Sequence, residues 1–279
     1  MPEGDSIRRI ATHLGPRLVG QTIERATTQG LVREVLAGKQ VVAVEPYGKH
    51  LVIELADGSH VRAHLGINGR QRTYARAEGE QVLARSSPGR ISLALVTSEL
   101  VALWINAKTI EVSDRRAPRH GMAVAALGPD VLADDFDPVI AGERAATHGG
   151  RRIGDVLLDQ RVAAGIGNIY KSEALFLAAV DPRRHVGEFA RETLVALYAT
   201  ARRIMLENLG PGARTTRDRL AGDAPGDDRY FVYGRTNRPC RTCTRPIDCY
   251  PLGDPPRWTW SCATCQPLVG PGSETGASR

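Results

Sequence analysis

Apolar residues recur at helical spacing at Ile7, Ile10, Ala11 and Leu14, and Gly15-Pro16 closes the pattern, which predicts a helix beginning right at Pro2. From Gln21 to about Trp104 the texture changes to strands, over residues 40–44, 50–55, 59–65, 91–96 and 100–105. Asp57-Gly58 joins the second and third as a favoured hairpin turn, and Ser98-Glu99 lies near the turn of the last pair. Leu51-Val52-Ile53 is apolar on both faces and marks a central strand. Short strands at regular spacing predict a two-layer β-sandwich.

Charges, a proline and Gly128-Pro129-Asp130 place a linker within residues 113–134, beyond which the pattern is helical. One predicted helix runs from residue 153 to 160 and a second from 169 to 176. Between them lies Ala163-Ala164-Gly165-Ile166-Gly167-Asn168, with two glycines for a tight turn and Asn168 as N-cap. Residues 190–206 form an amphipathic helix with Leu194, Leu197, Tyr198, Ala201 and Met205 on one side. The Gly-, Pro-, Thr- and Asp-rich stretch 210–228 reads as a mobile loop in which Arg214-Thr215-Thr216-Arg217 could approach a ligand. The expected organisation is α+β and multidomain: a β-sandwich with its N-terminal helix over 1–120, a helical domain over 130–228, a cysteine-rich hairpin over 229–267 and a disordered tail over 268–279.

That hairpin carries the strongest spacing signal. Cys240 and Cys243, then Cys262 and Cys265 after 18 intervening residues, place four thiolates for tetrahedral zinc. A four-cysteine site has no open coordination position, so one Zn²⁺ is expected to be structural. Cys249 reads as a spare thiol, and the strands between the pairs should carry Arg257 near Trp258 and Trp260.

Charge sharpens the picture once it is located. Residues 1–143 hold 17 Lys+Arg against 17 Asp+Glu, whereas residues 144–257 hold 19 against 13. A one-sided basic excess suggests a polyanionic partner, although a solvated arginine face would give the same count. No run of about 18 apolar residues and no charged-then-apolar leader is present, which predicts a cytoplasmic protein without a membrane partner.

Two short stretches offer chemistry. With Met1 removed, Pro2 becomes a secondary amine beside the Glu3 carboxylate, and an amine titrating near pH ~8 can condense with a sugar aldehyde. The same three residues are equally an ordinary chain start. Lys49, in Tyr47-Gly48-Lys49-His50, is one of four lysines beside 33 arginines, and an ammonium can lose a proton where a guanidinium cannot. A solvated loop lysine remains the alternative there, and a structural role the reading for His64.

These signals fall in an order that resembles the formamidopyrimidine-DNA glycosylase and endonuclease VIII family over residues 1–267. The opening Met1-Pro2-Glu3-Gly4-Asp5 is closer to the endonuclease VIII branch. Gly48-Lys49-His50-Leu51 is similar to the family's lysine loop, residues 153–176 to its helix-two-turn-helix with Gly165-Ile166-Gly167-Asn168 intact, and Arg257 to the arginine of its zinc hairpin. The resemblance implies a monomeric base-excision-repair enzyme on damaged DNA, a DNA glycosylase with AP lyase activity cleaving by β,δ-elimination. Pro2 would be its nucleophile, Glu3 the proton donor, Lys49 the proton-transfer residue, and Arg257 the phosphate ligand that assists δ-elimination. Asn168, Gly167, Arg151, Arg152 and Ile67 would contact DNA, in the nucleoid, at a cleft between two domains.

The chain also departs from the family pattern. After His64 the loop reads Leu65-Gly66-Ile67-Asn68, with Ile67 the one apolar wedge, and Ala126-Leu127 stands where some relatives have an arginine. Residues 214–219 are similar to the formamidopyrimidine branch, while the N-terminal motif favours oxidised pyrimidines. A lyase preferring AP sites or single strands, with weak base excision, and a non-catalytic DNA-binding repair scaffold are the alternatives.

Overall fold

Helix α1 spans Gly4–Leu18 and buries Ile7, Ala11, Leu14 and Leu18 on one face. It differs from the expected helix at both ends. Glu3 is the N-cap residue, its carbonyl accepting from the Ser6 and Ile7 amides at 3.0 and 3.2 Å, so Pro2 precedes the helix. The helix also continues through Pro16, because Leu18 follows Leu14 by one turn and is fully buried. Near a C-terminus the missing proline N–H costs one bond, and burying a leucine offsets it.

The computed structural model describes residues 2–29, 31–113, 124–218 and 229–268. The chain divides into two units, Met1–Asp130 and Val131–Arg279. The first holds β1 (Arg25–Thr28), β2 (Leu31–Val32), β3 (Val41–Tyr47), β4 (His50–Leu55), β5 (His60–His64), β6 (Arg70–Ala75), helix α2 (Arg76–Arg85), β7 (Ile91–Val96), β8 (Leu100–Ile105) and β9 (Thr109–Ser113). They pair antiparallel into a five-stranded sheet, β2-β1-β7-β8-β6, and a four-stranded sheet, β3-β4-β5-β9. The apolar run in β4 is central, between β3 and β5. Side chains from both sheets and α1 form one core, including Leu14, Leu18, Ile53, Leu55, Leu93, Leu95 and Trp104. A smaller cluster, with Ala94, Val96, Val101 and Leu103, packs with Val82 and Leu83 of α2. Gly79 permits this packing, since a Cβ there would lie 2.4 Å from the Val101 Cβ.

The second unit holds α3 (Pro138–Ala146), α4 (Ile153–Val156), α5 (Asn168–Leu177), α6 (Arg191–Leu206) and a hairpin of β10 (Asp248–Leu252) and β11 (Arg257–Ser261). Its core includes Leu157, Ile166, Tyr170, Leu175, Leu197, Tyr198 and Ile204. Two expectations need correction. The helix predicted to reach residue 160 ends after Val156, because the Asp159 carboxylate accepts the Arg161 amide and both Arg151 and Arg161 side chains, holding a turn. The N-cap of α5 is Gly167, and Asn168 is the first helical residue.

The expected loop 210–228 and tail 268–279 lie partly outside the described residues. Up to Thr216 the loop is tied down: the Thr215 amide donates to Asn208 Oδ1 at 2.8 Å, Asn208 Nδ2 to the Thr215 carbonyl at 2.6 Å, and the Thr216 amide to the Arg229 carbonyl at 2.9 Å. Among the described residues no helix is long and apolar enough to cross a membrane.

The α2 packing has a direct test. Gly79→Ala forces a methyl into Val101 and should lower stability by about 1–3 kcal/mol, read as a reduced urea midpoint at unchanged m-value.

Candidate functional site

In the first unit Pro2 is half-buried and lines an open cleft of about 880 Å³ together with Ser6, the loop Ile67-Asn68-Gly69, Arg70, Arg72 and Arg90. Glu3 beside it is fully buried. Both sit at the start of α1, where the helix dipole disfavours an ammonium at Pro2 and the Glu3 carboxylate beside it favours one. Ile67 projects into solvent, with 60% of its surface exposed. Lys49 is the second residue of the Gly48-Lys49 turn between β3 and β4, and it is not among the residues lining the Pro2 cleft. Gly48 makes the turn possible with φ +55, and its amide donates to Asp130 Oδ2 at 3.0 Å.

Behind Lys49 lies a pair of histidines. His50 and His64 face each other in neighbouring strands, ring centroids 4.8 Å apart. Arg62, almost wholly buried, sets one nitrogen 2.8 Å from His50 Nδ1 and is ion-paired to Glu111. A guanidinium can only donate, so Nδ1 accepts and the His50 proton sits on Nε2. Burial first, then His64, Arg62 and Lys49, pushes His50 down to about 3. Burial, then Lys108, Lys49 and Arg62, lowers His64 to about 4.

The second unit builds its site on α5. Asn168 does not cap the helix. Its Nδ2 donates to the Trp258 carbonyl at 2.7 Å, directly after Arg257 in β11. Lys171, buried, donates to Thr259 Oγ1 at 2.6 Å in the same strand. Glu173 is fully buried and accepts the Val232 and Tyr233 amides on Oε1 at 2.9 and 2.8 Å, and the Phe231 amide at 2.8 Å on Oε2, which also takes the Thr216 hydroxyl. Burial pushes its pKa up and the four donors oppose that shift. Lys171 and Glu173 were absent from the sequence-based site, and they are the two charged residues of a helix whose other positions are mostly apolar.

Gly167 is buried, and its carbonyl accepts the Lys171 amide at 2.8 Å. Arg151 is ion-paired to Asp159 at 2.8 Å and lines a cleft of about 470 Å³ that Arg257 also lines. Arg152 is not in that lining. It is the N-cap residue of α4 and bridges to His185.

The Sγ atoms of Cys240, Cys243, Cys262 and Cys265 lie within 4.8 Å of one another, with Cys243–Cys262 at 3.4 Å and Cys240–Cys265 at 3.8 Å. Zn–S bonds of ~2.3 Å in a tetrahedron require sulfur separations of about 3.8 Å, and the four thiols are grouped around that spacing. These cysteines can hold a metal ion. Cys249 is outside the group, opposite Trp260 in the hairpin.

A two-sheet unit led by a proline, a helix-two-turn-helix and a four-cysteine hairpin define the architecture. Residues 1–118 match the formamidopyrimidine-DNA glycosylase N-terminal domain, and residues 127–219 the formamidopyrimidine-DNA glycosylase H2TH domain. The chain belongs to the formamidopyrimidine-DNA glycosylase and endonuclease VIII family. A probable endonuclease 8 2 of Streptomyces coelicolor is 35% identical, the alignment covering 99% of this chain and 98% of the relative. The DNA-(apurinic or apyrimidinic site) lyase Nei2 of Mycolicibacterium smegmatis is 34% identical over 95% of this chain and 99% of its own. The crystal structure of the MutM (Fpg) protein from Thermus thermophilus superposes with a TM-score of 0.73 at 25% identity, covering 96% of this chain and 100% of that one.

The histidine pair makes stability depend on pH. With folded pKa values below the ordinary 6.5, the unfolded chain takes up protons first, so their contribution is complete above about pH 6.5 and is lost as pH falls towards 4 and then 3. The urea midpoint should therefore fall through that window, and less steeply in His50→Gln, whose amide oxygen can still accept from Arg62.

Proposed function

We propose that the protein is a base-excision-repair DNA glycosylase with AP lyase activity, removing oxidised bases, pyrimidines in preference, through a Pro2 Schiff base. The observation that carries this reading is the half-buried Pro2, placed before α1 at the wall of an open cleft, in a chain whose family match begins at its first residue. With Met1 removed, the Pro2 nitrogen attacks C1′ of a flipped nucleotide. The glycosidic bond breaks with its electron pair going to the base, which takes up the proton that the Pro2 amine sheds on bonding to C1′. Glu3 gives a proton to the opening sugar ring, and the iminium then forms between Pro2 and C1′. Loss of a C2′ proton expels the 3′ phosphate in β-elimination, and a second elimination releases the 5′ phosphate. Lys49 serves as the proton-transfer group, while Arg257, exposed at the start of β11, neutralises the leaving phosphate.

Asn168 and Gly167 at the α5 N-terminus, with Arg151 and Arg152, contact backbone phosphates, and Ile67 fills the space of the flipped base. Asn168 and Lys171 also hold Arg257's strand against α5. The four cysteines take one structural Zn²⁺, which supplies cross-linking of the hairpin and no step of the reaction. The relative from M. smegmatis is named as an AP-site lyase, and the single apolar wedge Ile67 favours a second reading, in which AP-site cleavage here is stronger than base excision.

Borohydride should trap a covalent adduct between the Met1-processed protein and an abasic-site oligonucleotide, and Pro2→Gly should reduce it strongly. Glu3→Gln should slow trapping by about 10²-fold, the scale of a general acid. No adduct from the native protein while DNA still binds would replace the catalytic reading with a scaffold role. One zinc per chain by metal analysis, lost in Cys240→Ser, checks the metal assignment.

A further inference from the structure

Several cationic side chains described in the first unit have a carboxylate partner. Arg25 and Arg76 meet Glu80, Lys39 meets Asp57, Arg62 meets Glu111, and Arg8 lies 3.9 Å from Asp130. Arg70, Arg72 and Arg90 have no such partner among the described residues. All three are exposed, none has an ion-pair or hydrogen-bond partner through its side chain among the described residues, and all three line the cleft that Pro2 lines.

Their placement is built into the sheet. Arg70 and Arg72 are two residues apart in β6, so they share a face, and β6 is the edge strand beside β8. At ~3.4 Å per residue their Cα atoms are about 7 Å apart, roughly two steps of a nucleic-acid strand that advances ~3.4 Å per phosphate. Arg90 is fixed from the other side, its carbonyl accepting the Asn106 amide at 2.9 Å directly before β7 begins. Three arginines lining one cleft without a carboxylate partner repel one another, and an anion bound there would relieve that repulsion.

We infer that Arg70, Arg72 and Arg90 form a phosphate-binding track for a DNA strand at the Pro2 cleft, distinct from the phosphate contacts proposed at α5. The inference rests on the repair-enzyme reading for the identity of the polyanion. Tyr74, the next residue on the same face of β6, lines the floor of the track, and exposed Ile67 stands at its rim. The track grips backbone without reading sequence, so it contributes a salt-dependent, sequence-independent share of affinity.

The test is the salt dependence of binding to a duplex carrying an uncleavable abasic analogue, followed by anisotropy between about 50 and 200 mM salt. Each phosphate contact contributes ~0.9 to the slope of log K against log salt, so the combined Arg70→Gln, Arg72→Gln and Arg90→Gln variant should flatten it by about 2–3. Single variants should each remove about 0.9, which keeps the test decisive if the triple variant folds poorly. Arg85→Gln, on exposed α2 outside the cleft, should leave the slope unchanged. A slope in the single variants equal to the native one overturns the track. Borohydride trapping by the native protein is scored separately, so a flattened slope without trapping would keep the track and remove the lyase reading.

Discussion

Glu173 has no contact with water, and a carboxylate in that position must have its oxygens satisfied or the fold around it fails. Four donors converge on it from three consecutive amides, 231–233, and from the Thr216 hydroxyl. Those amides belong to the chain leading into the cysteine hairpin, and Thr216 to the loop before it. One side chain of α5 therefore fixes the path of two segments that have almost no regular structure of their own. Phe176 extends the same anchorage by stacking on Phe231, ring centroids 5.2 Å apart, within the small core that contains Val232, Ile247, Cys240 and Cys262.

The same helix orients the strand that carries Arg257. Asn168 and Lys171 are three residues apart and so lie on one face of α5, where they meet the carbonyl of Trp258 and the hydroxyl of Thr259. Burying an ammonium is costly, which makes Lys171 a strong constraint on where β11 runs. A four-thiolate cation would close the far end of that hairpin. The arginine is long and flexible, but its Cα is held by a rigid support, and preorganisation of this kind is what a phosphate clamp needs.

Much of this was legible in the residue pattern, and the misses share a physical cause. Strands β4, β7 and β8 were readable to the residue because both of their faces are buried and their apolar runs are continuous. β6 and β9 were not, since an edge strand rich in arginine and a half-buried strand present no two-residue apolar alternation. α2 buries only Gly79, so its amphipathic signal is faint and its docking depends on an absent side chain. Pro2 and Lys49 stood out because their chemistry is unusual for their surroundings, whereas Glu3 and Arg257 were named through the family resemblance. The partners of Arg62, Asn168 and Glu173 lie in distant parts of the sequence, and no local pattern announces such pairs.

The charge distribution gains a different meaning once partners are known. Counted along the chain, the first 143 residues balance and the basic excess lies further on. Counted by contact, several cations of the second unit are committed: Arg183 to Asp181, Arg184 to Glu188, Arg203 to Glu207, and both Arg151 and Arg161 to Asp159. The first unit, Met1–Asp130, holds 17 Lys+Arg against 13 Asp+Glu and leaves Arg70, Arg72 and Arg90 uncommitted at one cleft. Net charge governs long-range attraction of a polyanion, but the charges left over after internal pairing decide where it is held.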